Sequence, residues 1–516
     1  MEAEIKKKKG SARKMRKWHK WLGLFFSVFL FVFALSGIFL NHRRAISSVD
    51  IPRSWLPQKY EYDNWNNGSV RGSFKISPDS ILLYGGNGIW LTDSVASHFT
   101  SFNKGMKNGA DNRITNNIVR NRSGEIFAVT TFNLYRLSDD NSWQNISERV
   151  NSRERFSDLE IHEDSLVLLT RSHAFVSVSP FDKFEQIDIK IPDGYDSRVS
   201  LFKTIWTLHS GELFGIVGMI FVDILGITTI LLCITGVILM FFPKIIKRRK
   251  KAKKESAIIR NIWKSSIKWH NKPGAVLIVF LLIVCISGMF LRPPLLISII
   301  RAKNNPVPLS VQTDENTWHD KLRSIRYDDF RNEWILYTSD GFYNMDNLMK
   351  VPVKMEKTPP VSVMGLNVME RKDSVTWILG SFSGMYNWNR QSGKITDFFT
   401  GKSPERPKKG PPMIMNPISG YSGDFNDDIV FDYSTGAKSK NAFTAMPDVF
   451  AKGQMSLWHL SLEAHVGRIY VFLPDIIAAF FVPLSGIFFL IILISGYIVY
   501  RKRFKKRRKR NKNMNS

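Results

Sequence analysis

Two stretches of this chain repeat one pattern. Trp18-His19-Lys20-Trp21-Leu22-Gly23 opens an apolar run that reaches Ser36-Gly37, and Trp269-His270-Asn271-Lys272-Pro273-Gly274 opens a second that reaches Ser287-Gly288. In each copy a Gly follows the His by four residues and a second Gly follows by eighteen. Eighteen residues is five helical turns, so the spacing predicts His and the second Gly on one helix face. An imidazole above small residues is what a helix would present to a flat ligand. Glycines alone would also let two helices approach closely.

Four apolar runs, at 19–41, 212–242, 270–292 and 474–500, each reach the roughly 20 residues that a bilayer crossing needs. The first is too long for a cleavable leader and has no small-residue cleavage site after it. The formal net charge of +28 raises nucleic acid as a partner, but nearly all of the excess lies in residues 1–20, 244–268 and 501–516, beside span ends. That is the positive-inside pattern. It predicts a basic cytoplasmic arm (1–18), a basic cytoplasmic loop (243–269) and a basic cytoplasmic tail (501–516), with no nucleic-acid role. The basic segments also suit anionic lipid.

The loops 42–211 and 293–473 then lie outside the cytoplasm. Cys233 and Cys285, the only cysteines, both fall inside spans, so no disulfide framework supports the loops. Five segments share a strand–turn–strand pattern: 81–93, 126–139, 166–179, 334–346 and 377–389. Gly88 to Asn133 is 45 residues, Asn133 to Ala174 is 41, and Gly341 to Gly384 is 43. A period of ~40–45 residues is that of a four-stranded propeller blade. A further, degenerate copy fits near Asp427–Tyr433. Each loop holds too few copies to close a propeller alone, so one composite all-β, propeller-like domain is expected; two smaller β domains are the rival. Gly341 and Gly384 are expected to supply positive φ in tight turns.

The second and fourth runs also match. Gly226 and Gly236 lie ten apart, like Gly486 and Gly496, and Thr235-Gly236 corresponds to Ser495-Gly496. The membrane part reads as a four-helix bundle of two tandem two-helix repeats, related by an axis along the membrane normal. Of ten histidines, six lie beside spans: His19, His42, His209, His270, His459 and His465. The repeat makes His19 and His270 equivalent. It makes His209 and His459 roughly equivalent, with His465 competing for the second place and His42 unmatched. Paired imidazoles are what a six-coordinate haem iron requires, one from each side of the porphyrin. Two b haems, one toward each face, would carry electrons across the bilayer; interfacial anchoring is the bland reading of the same histidines. Asp223, within the second run, is a candidate proton relay or the partner of a basic group.

The segments WHKWLGLFFSVFLFVFALSGIFLNHR and LHSGELFGIVGMIFVDILGITTILLCITG, with their second-half counterparts, resemble the PepSY-associated transmembrane helix proteins. That family includes bacterial inner-membrane ferric-siderophore reductases and other iron-uptake-associated proteins. The resemblance implies a haem-bearing bundle that passes electrons to iron chelates on the periplasmic side. The family histidine at the start of the odd spans falls on His19 and His270, and the one before the even spans falls on His209 and His459. Members often carry small PepSY domains in their outer loops, whereas these loops are propeller-like.

The first expectation is therefore an inner-membrane oxidoreductase, with both termini cytoplasmic, reducing periplasmic ferric iron or ferric-siderophore. The chain has no flavin or nicotinamide fingerprint, so a quinol or a separate cytoplasmic reductase would supply electrons. The alternative is a non-enzymatic sensor or assembly component that binds a periplasmic ligand or partner. Solute transport ranks last, because few polar groups lie within the spans.

Overall fold

The computed structural model describes residues 2–313, 316–362, 365–404 and 417–512. Met1 and residues 513–516, the ends of the basic arm and tail, lie outside the described residues. The chain divides into two compact units, one of Met1–Arg43, Ser197–Thr313 and Trp458–Ser516, the other of Arg44–Asp196 and Asp314–Leu457.

The first unit is helical. Its longer helices are α1 (Glu2–Asn41), α2 (Leu201–Ser210), α3 (Gly215–Lys251), α4 (Ala257–Val276), α5 (Ile278–Phe290), α6 (Leu457–His465) and α7 (Asp475–Lys512). α1 packs between α3 and α7, α4 lies along α3, and α5 along α7. Phe26, Leu30 and Ile492 form one apolar contact of this bundle, and Leu225, Leu281 and Leu493 another. Large apolar side chains also face outward, such as Phe25 (67 % exposed) and Val217 (73 %). In water such a surface would be unstable; in hydrocarbon it is the favoured one, and helices satisfy their own backbone groups there. Among the described residues three helical stretches are long and apolar enough to cross a bilayer: Lys14–Asn41, Glu212–Lys251 and Ile476–Lys502.

The expected third span differs. The run 270–292 is not one straight helix, because α4 and α5 meet at a bend of 69°. Counting that broken pair as one span brings the number to four. The break falls at Leu277, four residues after Pro273, which lies within α4. The basic loop 243–269 is also mostly helical. α3 continues to Lys251 and α4 begins at Ala257, since Lys and Arg are good helix formers and suit a helix C-terminus.

The second unit is all-β. Among the described residues it contains five four-stranded antiparallel sheets and one three-stranded sheet, each a simple meander. Their first strands are Gly72–Ser77, Thr115–Arg120, Phe156–His162, Leu322–Asp328, Leu366–Arg371 and Ile418–Ser422. Each of the five repeated segments supplies the second and third strands of one sheet, as in Ser80–Gly85 paired with Gly88–Asp93. Gly341 and Gly384 open third strands at φ of 118° and 124°, where an L side chain would be strained.

Apolar clusters lie between successive sheets. Leu82 and Ile89 of the first sheet meet Ile118 and Ala128 of the second, and Val129 of the second meets Leu159 and Leu168 of the third. Leu169 packs with Leu336, Ile335 with Leu379, and Ile378 with Val430, through the fourth, fifth and sixth sheets. Leu83 and Trp90 of the first sheet then share a cluster with Ile429 and Phe431 of the sixth. The first three sheets come from one loop and the last three from the other, so both loops build one unit.

The loops 42–211 and 293–473, the second expected to include a lead-in to the fourth span, carry helical segments at their edges. Residues 197–211, 293–313 and 458–473 belong to the helical unit, because α2 and α6 pack their histidines onto span helices. A short strand precedes each: Val199–Ser200, paired with Lys303–Asn304, leads into α2, and Gln454–Ser456, paired with Asp50–Pro52, leads into α6.

Candidate functional site

Four helices of the bundle carry a hydroxyl residue followed by glycine: Ser36-Gly37 on α1, Thr235-Gly236 on α3, Ser287-Gly288 on α5 and Ser495-Gly496 on α7. An imidazole from a different helix lies over each glycine. A Cβ added to Gly496 would sit 2.8 Å from Cε1 of His19, and one on Gly288 would sit 2.7 Å from Cε1 of His209. The corresponding distances are 3.3 Å from Gly37 to His465 and 3.4 Å from Gly236 to His270. Glycine is used here for close approach of a ring. The seat under each imidazole comes from the other repeat.

The same four places fix the imidazole tautomer. Nδ1 of His19 lies 3.0 Å from the carbonyl oxygen of Ile492, that of His209 3.0 Å from Val284 O, and that of His465 3.0 Å from Phe33 O. Each carbonyl is four residues before the glycine. His270 follows the same rule, with Leu232 as its main-chain partner and Thr235 Oγ1 3.0 Å away. A carbonyl oxygen only accepts, so Nδ1 must carry the proton and Nε2 must carry the lone pair.

The four rings form two pairs. His19 and His270 have ring centroids 6.0 Å apart with planes at 71°, and His209 and His465 have centroids 5.9 Å apart with planes at 56°. In a bis-imidazole site, two metal–nitrogen bonds of about 2 Å each place opposed ring centroids roughly 6 Å apart. The donor set therefore fits haem in tautomer and spacing. Among the described residues no group of three or more His, Cys, Asp or Glu is placed to hold a metal ion; an axially ligated haem needs only two.

The remaining span-side histidines lie elsewhere. Nε2 of His42 is 2.7 Å from Oδ2 of Asp223, and Nδ2 of Asn41 donates to Asp223 Oδ1 at 3.3 Å and to the Ser210 carbonyl at 3.0 Å. The carboxylate within the second run thus has its basic partner. His459 faces Glu463, with Nε2 3.7 Å from Oε1, and Arg468 Nε binds the other oxygen of that carboxylate at 3.0 Å. Of His459 and His465, the two expected candidates for the place opposite His209, His465 stands there. The cue is the tripeptide His209-Ser210-Gly211 against His465-Val466-Gly467. Both glycines adopt positive φ, 85° and 79°, just past the helix ends at Ser210 and His465, as helix-terminating glycines do.

The sequence model of one family, described as the PepSY-associated TM region, matches residues 16–361. No curated protein matches the chain. Solved structures give only remote likeness. A Bacteroides thetaiotaomicron protein of unknown function is 8 % identical, with 76 % of this chain and 74 % of that one covered and a TM-score of 0.36. The extracellular domain of a one-component system from B. thetaiotaomicron is 9 % identical at a TM-score of 0.33, with 77 % of this chain covered; the chain spans 39 % of that protein's length. PorZ, a surface component of the type-IX secretion system of Porphyromonas gingivalis, is 7 % identical with coverages of 75 % and 39 % and a TM-score of 0.33.

Proposed function

Since the chain belongs to the family of the PepSY-associated TM region, and since four of its histidines face each other in two pairs, we propose that it is a haem-bearing membrane oxidoreductase. In this reading His19 with His270 holds one b haem and His209 with His465 holds a second. The two groups, when bound, would supply one-electron redox steps at two depths of the bundle. The chain's part is to fix the ligands. Four main-chain carbonyls orient the rings, four glycines admit them, and the apolar helix faces keep water from the iron.

The protein lies in a bacterial inner membrane, with its basic segments and both termini cytoplasmic. Electrons come from a quinol or a cytoplasmic reductase and leave to ferric iron or a ferric-siderophore in the periplasm. Reduction helps release because ferrous iron is a softer cation, held less tightly by hard oxygen chelators. The six sheets, packed in order with the sixth against the first, support a six-bladed propeller that meets the chelate. The His42–Asp223 pair is the candidate proton relay, since a carboxylate hydrogen-bonded to imidazole can pass a proton between them.

The observation that carries this reading is the 6.0 Å and 5.9 Å separation of the two histidine pairs. A dithionite-reduced minus oxidised visible spectrum of the detergent-purified protein tests it. A sharp b-type α band approaching two haems per chain, bleached by added ferric chelate, is expected. A flat spectrum after expression with ample haem would make the histidines anchors and leave the β unit as a binding module.

A further inference from the structure

The hydroxyl before each glycine occupies the same place four times. Ser36 Oγ lies 3.1 Å from Nδ1 of His465, Ser287 Oγ 3.2 Å from Nδ1 of His209, Thr235 Oγ1 3.0 Å from Nδ1 of His270, and Ser495 Oγ 3.4 Å from Nδ1 of His19. All four residues are buried. Each hydroxyl has its single hydrogen committed to its own helix: Ser36 donates to Val32 O at 2.6 Å, Thr235 to Leu231 O at 2.6 Å, Ser287 to Val284 O at 3.0 Å and Ser495 to Ile492 O at 3.1 Å. Its remaining capacity toward Nδ1 is therefore as an acceptor.

A steric role would not select these residues. If only smallness mattered beside the glycine, alanine would serve and is the better helix former. A hydroxyl within a helix is already satisfied by its own backbone and gains nothing from a histidine. Yet all four positions carry an oxygen, and all four oxygens lie beside Nδ1, the nitrogen that also meets a main-chain carbonyl. A second acceptor on Nδ1–H draws that proton away from the ring. The ring becomes a stronger donor through Nε2 and favours the more highly charged state of a metal bound there.

We propose that Ser36, Ser287, Thr235 and Ser495 are positioning residues that set the reduction potential of the two histidine-held redox centres, each hydroxyl acting on one pair only. Ser36 and Ser287 serve the His209–His465 pair; Thr235 and Ser495 serve the His19–His270 pair. The inference rests on the two-haem reading and names which oxygens tune which centre.

The test is a potentiometric titration of the b-type band in full-length protein. The double variant Ser36→Ala/Ser287→Ala should keep its haem content while half of the band's amplitude titrates at a higher potential than in wild type. Thr235→Val/Ser495→Ala should move the other half. Ser287→Thr, which restores an oxygen, should titrate as wild type does. Alanine is tolerated in a helix and removes no backbone bond, so the variants keep their fold, and retained haem content verifies it. Intact haem with an unmoved curve, or with both halves displaced together, would overturn the assignment of hydroxyls to pairs. Absence of haem from the wild type would instead overturn the two-haem reading, and the inference with it.

Discussion

Nδ1 of His465 lies 3.0 Å from the main-chain oxygen of Phe33, so a helix that precedes the last span is read by the first span. The same ring faces His209, whereas His459 on the same helix turns to Glu463. His465→Ala is expected to remove one of two haems, halving the reduced-minus-oxidised band per chain. His459→Ala should leave it whole. Equal losses in the two variants would show that α6 is needed only as a packed helix.

Glycine substitution separates close contact from ordinary packing. At Gly288 an added Cβ would be 2.7 Å from the His209 ring, which is closer than real contacts allow, while at Gly236 it would be 3.4 Å from His270. Gly288→Ala should displace His209 and cost the haem of that pair. Gly236→Ala should keep both. Haem stoichiometry by pyridine haemochrome measures the difference, and full occupancy in Gly288→Ala would refute the seat assigned to that glycine.

The β unit carries its own pH dependence. Glu160, beside Asp158 and Arg326, has its carboxyl pushed up from 4.5 to about 8, first by burial, with Arg326 opposing. Between these values the folded state holds a proton that the unfolded state has released, so stability falls as pH rises from 4.5 to about 8. Glu160→Gln should flatten the slope of thermal stability with pH across that window, followed by tryptophan fluorescence. A slope as steep as that of wild type would place the linkage on another group, such as Glu370.

Arg390 is buried against two buried carboxylates, Asp328 at 2.9 Å and Glu333. Arg390→Met keeps the volume and leaves both acids unpaired, which costs about 3–5 kcal/mol for a broken buried pair. Denaturant unfolding of the β unit should show a loss of that order, with the haem spectrum unchanged. A loss under about 1 kcal/mol would class the pair with exposed ion pairs.

The apolar runs, the twofold repeat and five of the β hairpins were legible because each has a local period: helical for the spans, alternating for strands, about 43 residues for the sheets. The partner of His209 was legible only as a choice between His459 and His465. Aligning on Leu457-Trp458-His459 favoured a residue one and a half turns too early, since a single sequence weights aromatic flanks as heavily as the glycine that ends a helix. The bend at Leu277 was not legible, because Pro273 lies four residues before it and proline is tolerated within membrane helices, as at Pro243 and Pro483. That Gly496 seats His19 and Gly37 seats His465 is a tertiary fact. Spacing along one helix placed these groups on matching faces without saying which helix would supply the ring.

The pairing of rings and seats crosses the duplication at every point. His19 from the first half rests on Gly496 from the second, His270 on Gly236, His209 on Gly288 and His465 on Gly37. The short strands leading into α2 and α6 likewise pair with strands from the opposite half. A single two-helix half thus owns one ligand of each pair and completes neither. In the proposed two-haem reading, a lone half could assemble either site only with a second copy of itself. With both halves in one chain, matching positions can differ, and the second half carries Pro293 where the first has His42 and Pro483 where it has Asp223.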